Sequence, residues 1–378
     1  MVQRYREMLD DPLRIAAFRD AIRAEVRPGE VAADIGCGLG TYAVFACRAG
    51  AERVYAIDDG PVLEVAREVV RVNGCAERVR LMAGRSTELE PVERVDVAIF
   101  EDYVAGLLTP GIVAVLRDLR TRWLKPGGRL LPARARVFAA CVESSDTHRA
   151  LDRFQSTSER VFGVDLTPAR KSAFSSPRNV SLAPASLLTP PLLVQELDLT
   201  SIDELRLQAT VSAPATRDGV VHGVLLWFEL ALPPRGWLGT GPLDPPSAWR
   251  QLYLPFEAPL AVVEGATLEF EVAAATLGDS MVWRWRASTG DAHVSAHSLD
   301  AVTLGKGARQ SRRPDRVPPR SPELELDAVI LAAVDGTRDV AAIAEAVRVA
   351  EPTRFATAAD VEARVGRTLA RYLGVGPR

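Results

Sequence analysis

The sequence predicts an α/β fold with a doubly wound parallel sheet first, an antiparallel β-barrel second and a small helical domain last. Between residues 31 and 135, short apolar strands alternate with helical stretches, which is typical of a parallel sheet covered by helices. After Pro132 the chain changes to short β-rich segments separated by Pro, Gly and Asp, as in barrels and sandwiches. From residue 323 onward only helical patterns remain.

Length and composition exclude several classes of protein. The chain has 378 residues, 47% of them hydrophobic, which is enough for two or three domains with separate cores. A formal net charge of −3 provides no basic field for a nucleic acid. No apolar run approaches the roughly 20 residues that span a bilayer, and the charged N-terminus lacks the apolar stretch of a signal peptide. We therefore expect a cytoplasmic protein without membrane or nucleic-acid partners.

The cysteines are expected to be buried thiols. They form no C-x-x-C pair, and most of them have apolar neighbours. The four are Cys37, Cys47, Cys75 and Cys141. Neither a metal site nor a disulfide framework is therefore expected.

The first part of the chain is predicted to consist of an N-terminal helical segment, residues 1–30, and a ligand-binding domain, residues 31–135. Apolar positions at helical spacing cover residues 5–25, and Pro28-Gly29 ends the pattern. Strands are predicted at 31–35, 53–57, 79–82, 95–100 and 128–131, with helices between them at about 41–49, 61–73 and 111–124.

The second part is predicted to be a barrel domain, residues 136–300, followed by a linker and a third domain. Barrel strands are expected at 192–199, 205–212, 220–230, 250–256 and 266–274. A basic, Pro-containing stretch at 301–322 indicates an extended linker. Residues 323–378 then carry helical patterns around an Asp335-Gly336 turn.

A glycine-rich turn after the first predicted strand is the strongest sign of a ligand. The strand runs into D-I-G-C-G-L-G, residues 34–40, where glycines let the backbone turn tightly and approach a ligand. A second strand ends in Asp58, placed to hydrogen-bond a ribose diol. The dinucleotide fingerprint needs glycine where Thr41 stands, whereas D-x-G-x-G-x-G is the methyltransferase form. We expect S-adenosylmethionine; a dinucleotide oxidoreductase and a tight turn without a ligand are the alternatives.

Several longer stretches resemble the protein arginine methyltransferases, over nearly all of residues 5–290. The stretches are EMLDDPLR, ADIGCGLGTYAVFACRAGAERVYAID, VERVDVAIFED, RTRWLKPGGRLLPARARVFAACVES, VFGVDLTPARK, VHGVLLWFEL and GPLDPPSAWRQ. The resemblance implies a Rossmann-like class I methyltransferase domain, a substrate barrel, and a dimerisation arm at about 160–190. It also implies a homodimer and S-adenosyl-L-methionine as cofactor.

The resemblance assigns candidate cofactor residues. Arg14 stands where the family places an arginine on the cofactor's carboxylate, and a guanidinium suits that role because it binds carboxylates bidentately. Ser86 or Thr87 stands where the family has a glutamate near the adenine. The predicted cofactor-binding set is Arg14, Asp34, Gly36, Cys37, Gly38, Gly40, Asp58, Asp59, Ser86 and Glu101.

The acceptor pocket departs from the family pattern. The family holds the substrate guanidinium between two glutamates; the first aligns with Glu101, but Pro110 replaces the second, and Thr109-Pro110 predicts a helix N-cap with a first-turn proline. A barrel loop that usually contains Thr-His-Trp is Ser247-Ala248-Trp249 here. We therefore expect methylation of a peptide or natural-product nitrogen other than a protein arginine. The alternatives are a non-catalytic cofactor-binding scaffold, and an arginine methyltransferase that uses Asp102 as its second carboxylate.

Four residues are candidates for the catalytic site: Glu101, Asp102, Tyr103 and Trp249. Glu101 follows a strand's carboxyl end, where it could orient a nitrogen acceptor or take its proton. Tyr103 and Trp249 are expected either to wall the pocket or to be core aromatics.

The C-terminal segment resembles the small PqqD-type winged-helix modules that hold leader peptides in bacterial peptide-modifying pathways. The resemblance implies that residues 323–378 bind a peptide, and a structural cap on the barrel is the alternative reading.

Overall fold

The computed structural model describes residues 6, 8–107, 109–161, 163–277, 280–301, 322–352, 354–355 and 357–373. The chain divides into two compact units, Met1–Val302 and Thr303–Arg378. The first unit combines a parallel sheet with antiparallel sheets, which confirms the predicted α/β class. Within the described residues, no helix combines the length and the apolarity needed to cross a membrane.

The parallel sheet has five strands covered by helices. The strands are β1 (Val31–Ile35), β2 (Arg53–Asp58), β3 (Val79–Ala83), β4 (Val95–Phe100) and β5 (Leu124–Leu131), in the order β3-β2-β1-β4-β5. The helices are α1 (Pro12–Glu25), α2 (Thr41–Ala49), α3 (Leu63–Val72) and α4 (Pro110–Asp118). Strand β5 begins at Leu124 rather than at residue 128, because a register shift against β4 accommodates a Pro-Gly-Gly stretch inside the strand.

Helix α1 begins where the sequence provides an N-cap. The Asp11 side chain accepts a hydrogen bond from the Arg14 amide at 3.1 Å, and Pro12 occupies the first turn. The buried face of α1, which includes Arg14, Phe18 and Ile22, packs against helix α2. This packing places the Arg14 side chain beside the glycine-rich turn that precedes α2.

Two antiparallel sheets form the second part of this unit. The first contains β6 (Arg134–Val142), β7 (Arg178–Val180), β8 (Leu192–Asp198), β10 (Gly219–Leu232), β11 (Gly236–Gly239) and β12 (Gln251–Val262); the second contains β9 (Arg206–Pro214), β13 (Thr267–Leu277), β14 (Ser280–Thr289) and β15 (Ala292–His297). Strand β10 pairs with β6 on one side and β12 on the other. One hydrophobic core runs from the parallel sheet into these sheets.

Two helices follow β6 and cover part of the predicted dimerisation arm. They are α5 (Ser145–Val161) and α6 (Thr167–Phe174). Their apolar side chains form a separate cluster with the six-stranded sheet, in which Leu151 and Phe174 pack with Trp227 and Tyr253. The arm helices are therefore anchored on the barrel by buried apolar contacts.

The described part of the smaller unit contains three helices. They are α7 (Pro322–Ala332), α8 (Val340–Ala350) and α9 (Ala358–Leu373), packed around one apolar cluster. The buried Asp327 carboxylate ties α7 to α9, accepting from Arg364 at 2.8 Å and Thr368 at 3.0 Å. No strand occurs in the described residues from 322 to 373, and the winged helix stays a prediction. Most of the predicted linker, residues 302–321, lies outside the described residues.

Candidate active site

A cavity of about 560 Å³ opens at the carboxyl ends of strands β1, β2 and β4. Open α/β sheets bind ligands where the strand order changes direction, and here that point lies between β1 and β4. The volume falls in the range of roughly 300–1,000 Å³ that is typical of small-molecule sites. Five of the predicted site residues line it: Gly36, Asp58, Asp59, Ser86 and Asp102.

The glycine-rich turn forms one rim of this cavity. Gly36, Gly38 and Gly40 have φ values of 73°, 52° and 76°, a left-handed region that favours glycine. The amides of Gly36 and Cys37 donate to the Ile57 carbonyl at 2.8 and 3.0 Å, which fixes the turn to the end of β2. The Cys37 thiol is buried, and burial raises its pKa, so it is an unreactive part of the turn.

Asp34 holds the turn to helix α2. Its carboxylate is 2% exposed and accepts a hydrogen bond from the Ala43 amide at 2.8 Å. Burial raises the pKa of Asp34 to about 7, the Ala43 hydrogen bond opposes this shift, and the nearby Asp58 carboxylate adds to it. Asp34 is not among the residues lining the cavity, so its place in the cofactor-binding set stays a prediction.

Asp58 and Asp59 occupy the end of β2 on the cavity wall. One Asp58 oxygen accepts from the Gly38 amide at 2.9 Å and the other from the Gly60 amide at 2.7 Å. This pair of backbone hydrogen bonds sets the carboxylate at the position from which a ribose diol could be bound. Asp59 is paired instead with Arg85, at 2.8 Å.

Replacing Asp58 by Ala is expected to weaken binding of S-adenosylhomocysteine at least about tenfold, or about 1.4 kcal/mol. The variant removes the cavity-wall acceptor for the ribose hydroxyls. Isothermal titration calorimetry measures the affinity. Asp96→Ala is the matched control, because Asp96 also accepts from a backbone amide, that of Val31, but does not line the cavity. Unchanged affinity in Asp58→Ala would show that Asp58 does not bind the cofactor.

Ser86 provides a test of whether the cavity fits a nucleoside. Its hydroxyl is buried on the cavity wall and has no hydrogen-bond partner among the described residues. Its carbonyl accepts from Arg122 at 2.6 Å and from Trp123 at 3.3 Å, so the backbone is held in place. A buried hydroxyl without a partner costs roughly 1–3 kcal/mol. The polar edge of a ligand such as adenine could form a hydrogen bond with the Ser86 hydroxyl. Thr87 lines the same wall of the cavity.

Arg14 and Glu101 form a buried ion pair beside the turn. Their side chains meet at 2.6 Å and are 2% and 11% exposed. The Trp249 ring lies under the guanidinium, with its centroid 5.1 Å from the guanidinium carbon. These contacts join helix α1 to the end of β4 and to the barrel loop.

The surroundings of Glu101 make it a stronger base than a solvent-exposed carboxylate. Burial raises the pKa of Glu101 to about 8, and the neighbouring carboxylates of Asp102 and Asp34 act in the same direction. The Arg14 guanidinium opposes this shift. A carboxyl group with a pKa near neutrality is suited to accepting a proton from a substrate.

Asp11 is a site residue that the sequence reasoning missed. One of its oxygens accepts from the Ser247 hydroxyl at 3.0 Å and from the Ala248 amide at 3.1 Å. Asp11 therefore ties the barrel loop to the start of α1, directly before the Trp249 ring that supports Arg14. Its partners are distant in the chain, so the local sequence around Asp11 does not reveal them.

Tyr103 and Trp249 are core aromatics that also close the Glu101 side of the site. Tyr103 is buried, and its ring meets Phe100 edge-on at 5.1 Å. Trp249 packs on Phe228 at 5.3 Å. Both side chains are buried, and neither lines the cavity.

Helix α4 begins at Thr109 and Pro110, where the sequence resemblance predicts the loss of a second acceptor carboxylate. Thr109 caps helix α4 by accepting from the Ile112 amide at 3.3 Å, and Pro110 occupies the first turn, as the sequence predicted. Asp102 is exposed and lines the cavity, where it faces Gly36. Glu101, by contrast, is not among the residues that line the cavity.

Two families match separate parts of the chain. Residues 32–128 match a methyltransferase domain, and residues 133–281 match the arginine methyltransferase oligomerization subdomain. The boundary between the two matches coincides with the start of strand β6.

Curated relatives carry arginine methyltransferase names. Protein arginine N-methyltransferase 1 of Schizosaccharomyces pombe is 30% identical over 255 residues, covering 65% of this chain and 74% of the relative. The arginine N(omega)-methyltransferase of Streptomyces achromogenes subsp. streptozoticus is 32% identical over 266 residues, covering 69% and 73%.

Solved structures share the fold. The Trypanosoma brucei PRMT1 enzyme–prozyme heterotetramer with AdoHcy superposes with a TM-score of 0.70 at 23% identity, covering 78% of this chain and 96% of that one. Arabidopsis thaliana protein arginine methyltransferase 10 gives a TM-score of 0.66 at 22% identity, covering 78% and 97%.

Proposed function

The chain belongs to the protein arginine methyltransferase family and is an S-adenosylmethionine-dependent N-methyltransferase, and we propose that it methylates a peptide or natural-product nitrogen other than a protein arginine. The observation that carries the proposal is the pairing of Glu101 with Arg14 at 2.6 Å, together with Pro110 at the position of the second family carboxylate.

Charge balance supports this choice of acceptor. A substrate guanidinium is a delocalised cation, which two carboxylates neutralise better than one. Here the only family carboxylate is Glu101, and it already contacts the positive charge of Arg14. A second guanidinium placed against Glu101 would meet that charge in a buried setting, where like charges repel strongly. An amine, amide or heterocyclic nitrogen avoids the repulsion.

Different residues of the site would bind the cofactor, orient the acceptor and accept its proton. The bound cofactor supplies a methyl group already activated on a sulfonium, so the protein must hold and align rather than activate. Asp58 and Ser86 would hold the nucleoside and Arg14 the carboxylate. Glu101 would orient the acceptor nitrogen and take its proton, while the rings of Tyr103 and Trp249 exclude water.

A second candidate acceptor is arginine itself, with Asp102 as the second carboxylate. Two observations favour it: Asp102 lines the cavity, and the Streptomyces relative is named an arginine N(omega)-methyltransferase. In this arrangement the guanidinium would lie toward Asp102 and away from Arg14.

Labelled methyl transfer from S-adenosylmethionine tests the proposal. Histone and glycine-arginine-rich peptides, free arginine, and peptides or extracts bearing other nitrogens are offered in parallel, and the products are located by mass spectrometry. We expect transfer to a nitrogen outside protein arginine. Strong arginine methylation that Asp102→Asn abolishes would establish the second candidate instead. Cofactor binding without turnover on any acceptor would indicate the scaffold.

The protein is also expected to be a homodimer, because the oligomerization subdomain spans the α5–α6 arm. Val164, between these helices, is 53% exposed and is a candidate contact for the partner's cofactor domain. Light scattering should give about twice the chain mass of 40.9 kDa. Val164→Asp should shift the protein toward monomer, and Val72→Asp, an equally apolar position 63% exposed on α3, should not. A monomeric wild type at micromolar concentration would contradict the expectation.

The three-helix C-terminal unit is proposed to bind the peptide part of the acceptor. Removing residues from 319 onward should then raise KM much more than it lowers kcat, as expected when remote binding is lost. A truncated protein that melts far earlier would indicate a structural cap.

A further inference from the structure

Tyr42 carries a buried hydroxyl that nothing in the described part of the chain satisfies. The residue is 8% exposed, and its hydroxyl oxygen has no hydrogen-bond partner among the described residues. Tyr42 is the second residue of helix α2, directly after the glycine-rich turn. Such a hydroxyl is costly to leave unpaired, and Tyr42 directly follows the turn whose Gly36 lines the cavity, so a bound ligand is the candidate partner.

The packing of Tyr42 places it next to Arg14. Its ring stacks on Phe18, with centroids 5.1 Å apart and planes 20° from parallel. Phe18 lies four residues after Arg14 on α1, so both side chains occupy the same buried face of that helix. Phe18 in turn contacts Trp249, the ring beneath the Arg14 guanidinium.

The charges around the Tyr42 hydroxyl are those of the transfer site. Burial raises the pKa of Tyr42 well above its usual value; the Glu101 carboxylate adds to the shift, the Arg14 guanidinium opposes it, and the Asp34 and Asp11 carboxylates also add to it. A phenol held neutral in this way is a hydrogen-bond donor. Tyr42 also lies in the first turn of α2, where the helix dipole favours an anion.

We propose that the Tyr42 hydroxyl donates a hydrogen bond to the carboxylate of the methionine end of S-adenosylmethionine, alongside Arg14. Tyr42 is then a positioning residue that distinguishes ligands with the amino-acid tail from nucleosides without it. The proposal depends on the cofactor and not on the identity of the acceptor.

Calorimetry with two ligands tests the proposal without turnover, so its outcome is independent of the acceptor. S-adenosylhomocysteine has the amino-acid tail, and 5′-methylthioadenosine lacks it. Tyr42→Phe should weaken binding of the first about tenfold and leave binding of the second within about twofold. The unliganded variant should melt no earlier than the wild type, because the hydroxyl that it loses has no partner in the described residues.

Tyr253→Phe is the matched control. Its hydroxyl is also buried but donates to the His222 carbonyl at 2.8 Å in the barrel. This variant should melt earlier and keep the affinity for both ligands. Equal weakening of both ligands in Tyr42→Phe would indicate repacking of the ring, and unchanged affinity for both would show that the hydroxyl does not contact the tail. Either result overturns the proposal.

Discussion

Replacing Glu101 by Gln is expected to lower kcat on the true acceptor about 10²-fold while leaving the affinity for S-adenosylhomocysteine within about twofold. Glutamine keeps the shape of the side chain and an oxygen that can accept from Arg14, but it cannot take a proton. The contrast between kcat and cofactor affinity is informative, because a merely structural change would lower both. The acceptor for the assay is the one found by labelled methyl transfer.

The pH dependence of the same pair of proteins gives a second measurement. Burial raises the pKa of Glu101 to about 8, and proton acceptance requires the ionised form. The ionised fraction falls as pH drops below that value, so the wild-type kcat should rise by up to about tenfold per pH unit toward pH 8 and level off above it. Glu101→Gln should lack this rise.

A matched control for Glu101→Gln is Glu93→Gln. Glu93 also pairs with an arginine, Arg53, at 2.6 Å, but it precedes β4, at the opposite end of the strand from Glu101. The control should therefore keep the wild-type kcat and its pH profile. Full activity in Glu101→Gln would show that the proton acceptor lies elsewhere, and Asp102 would be the next carboxylate to replace.

The sheet and the cofactor turn could be predicted from the sequence because their determinants are local. The five strands of the parallel sheet were visible as apolar segments between helical patterns. The cap formed by Thr109 and Pro110 was likewise a contiguous pattern and is present in the structure. Strand β5 was shortened in the prediction because Pro126 and the glycines after it resemble a turn, whereas the strand accommodates them through a register shift.

Other parts of the site could not be predicted from the sequence, because they depend on contacts between residues that are far apart in the chain. Asp11 meets Ser247 across 236 positions of the chain, and a contact of this kind is created by the packing of α1 on the barrel. The unpaired hydroxyl of Tyr42 is visible only once the surrounding helices are in place. The pairing of Arg14 with Glu101 has the same origin, because the two residues come from different elements 87 positions apart.

Replacing Arg14 by Met is expected to weaken binding of S-adenosylhomocysteine about 10²-fold, or about 2.7 kcal/mol, and to change binding of 5′-methylthioadenosine much less. Methionine fills the apolar space against Trp249 but provides neither the charge nor the donors that a carboxylate needs. The expected loss is larger than for Tyr42→Phe, because hydrogen bonds between two charged groups are stronger than those from a neutral donor. Calorimetry with both ligands measures the difference.

The melting temperatures of Arg14 variants distinguish the contact of Arg14 with Glu101 from its contact with the cofactor. Removing the guanidinium leaves Glu101 buried without its counter-charge, so Arg14→Met should melt earlier than the wild type at a pH above 8, where Glu101 is ionised. Adding Glu101→Gln removes the stranded carboxylate and should recover much of the melting temperature without restoring the affinity for S-adenosylhomocysteine. Arg19→Met is the control, since Arg19 lies on the same helix, is 53% exposed and pairs with Asp20. Wild-type affinity in Arg14→Met would mean that Arg14 serves Glu101 alone, and the carboxylate subsite would have to be sought elsewhere.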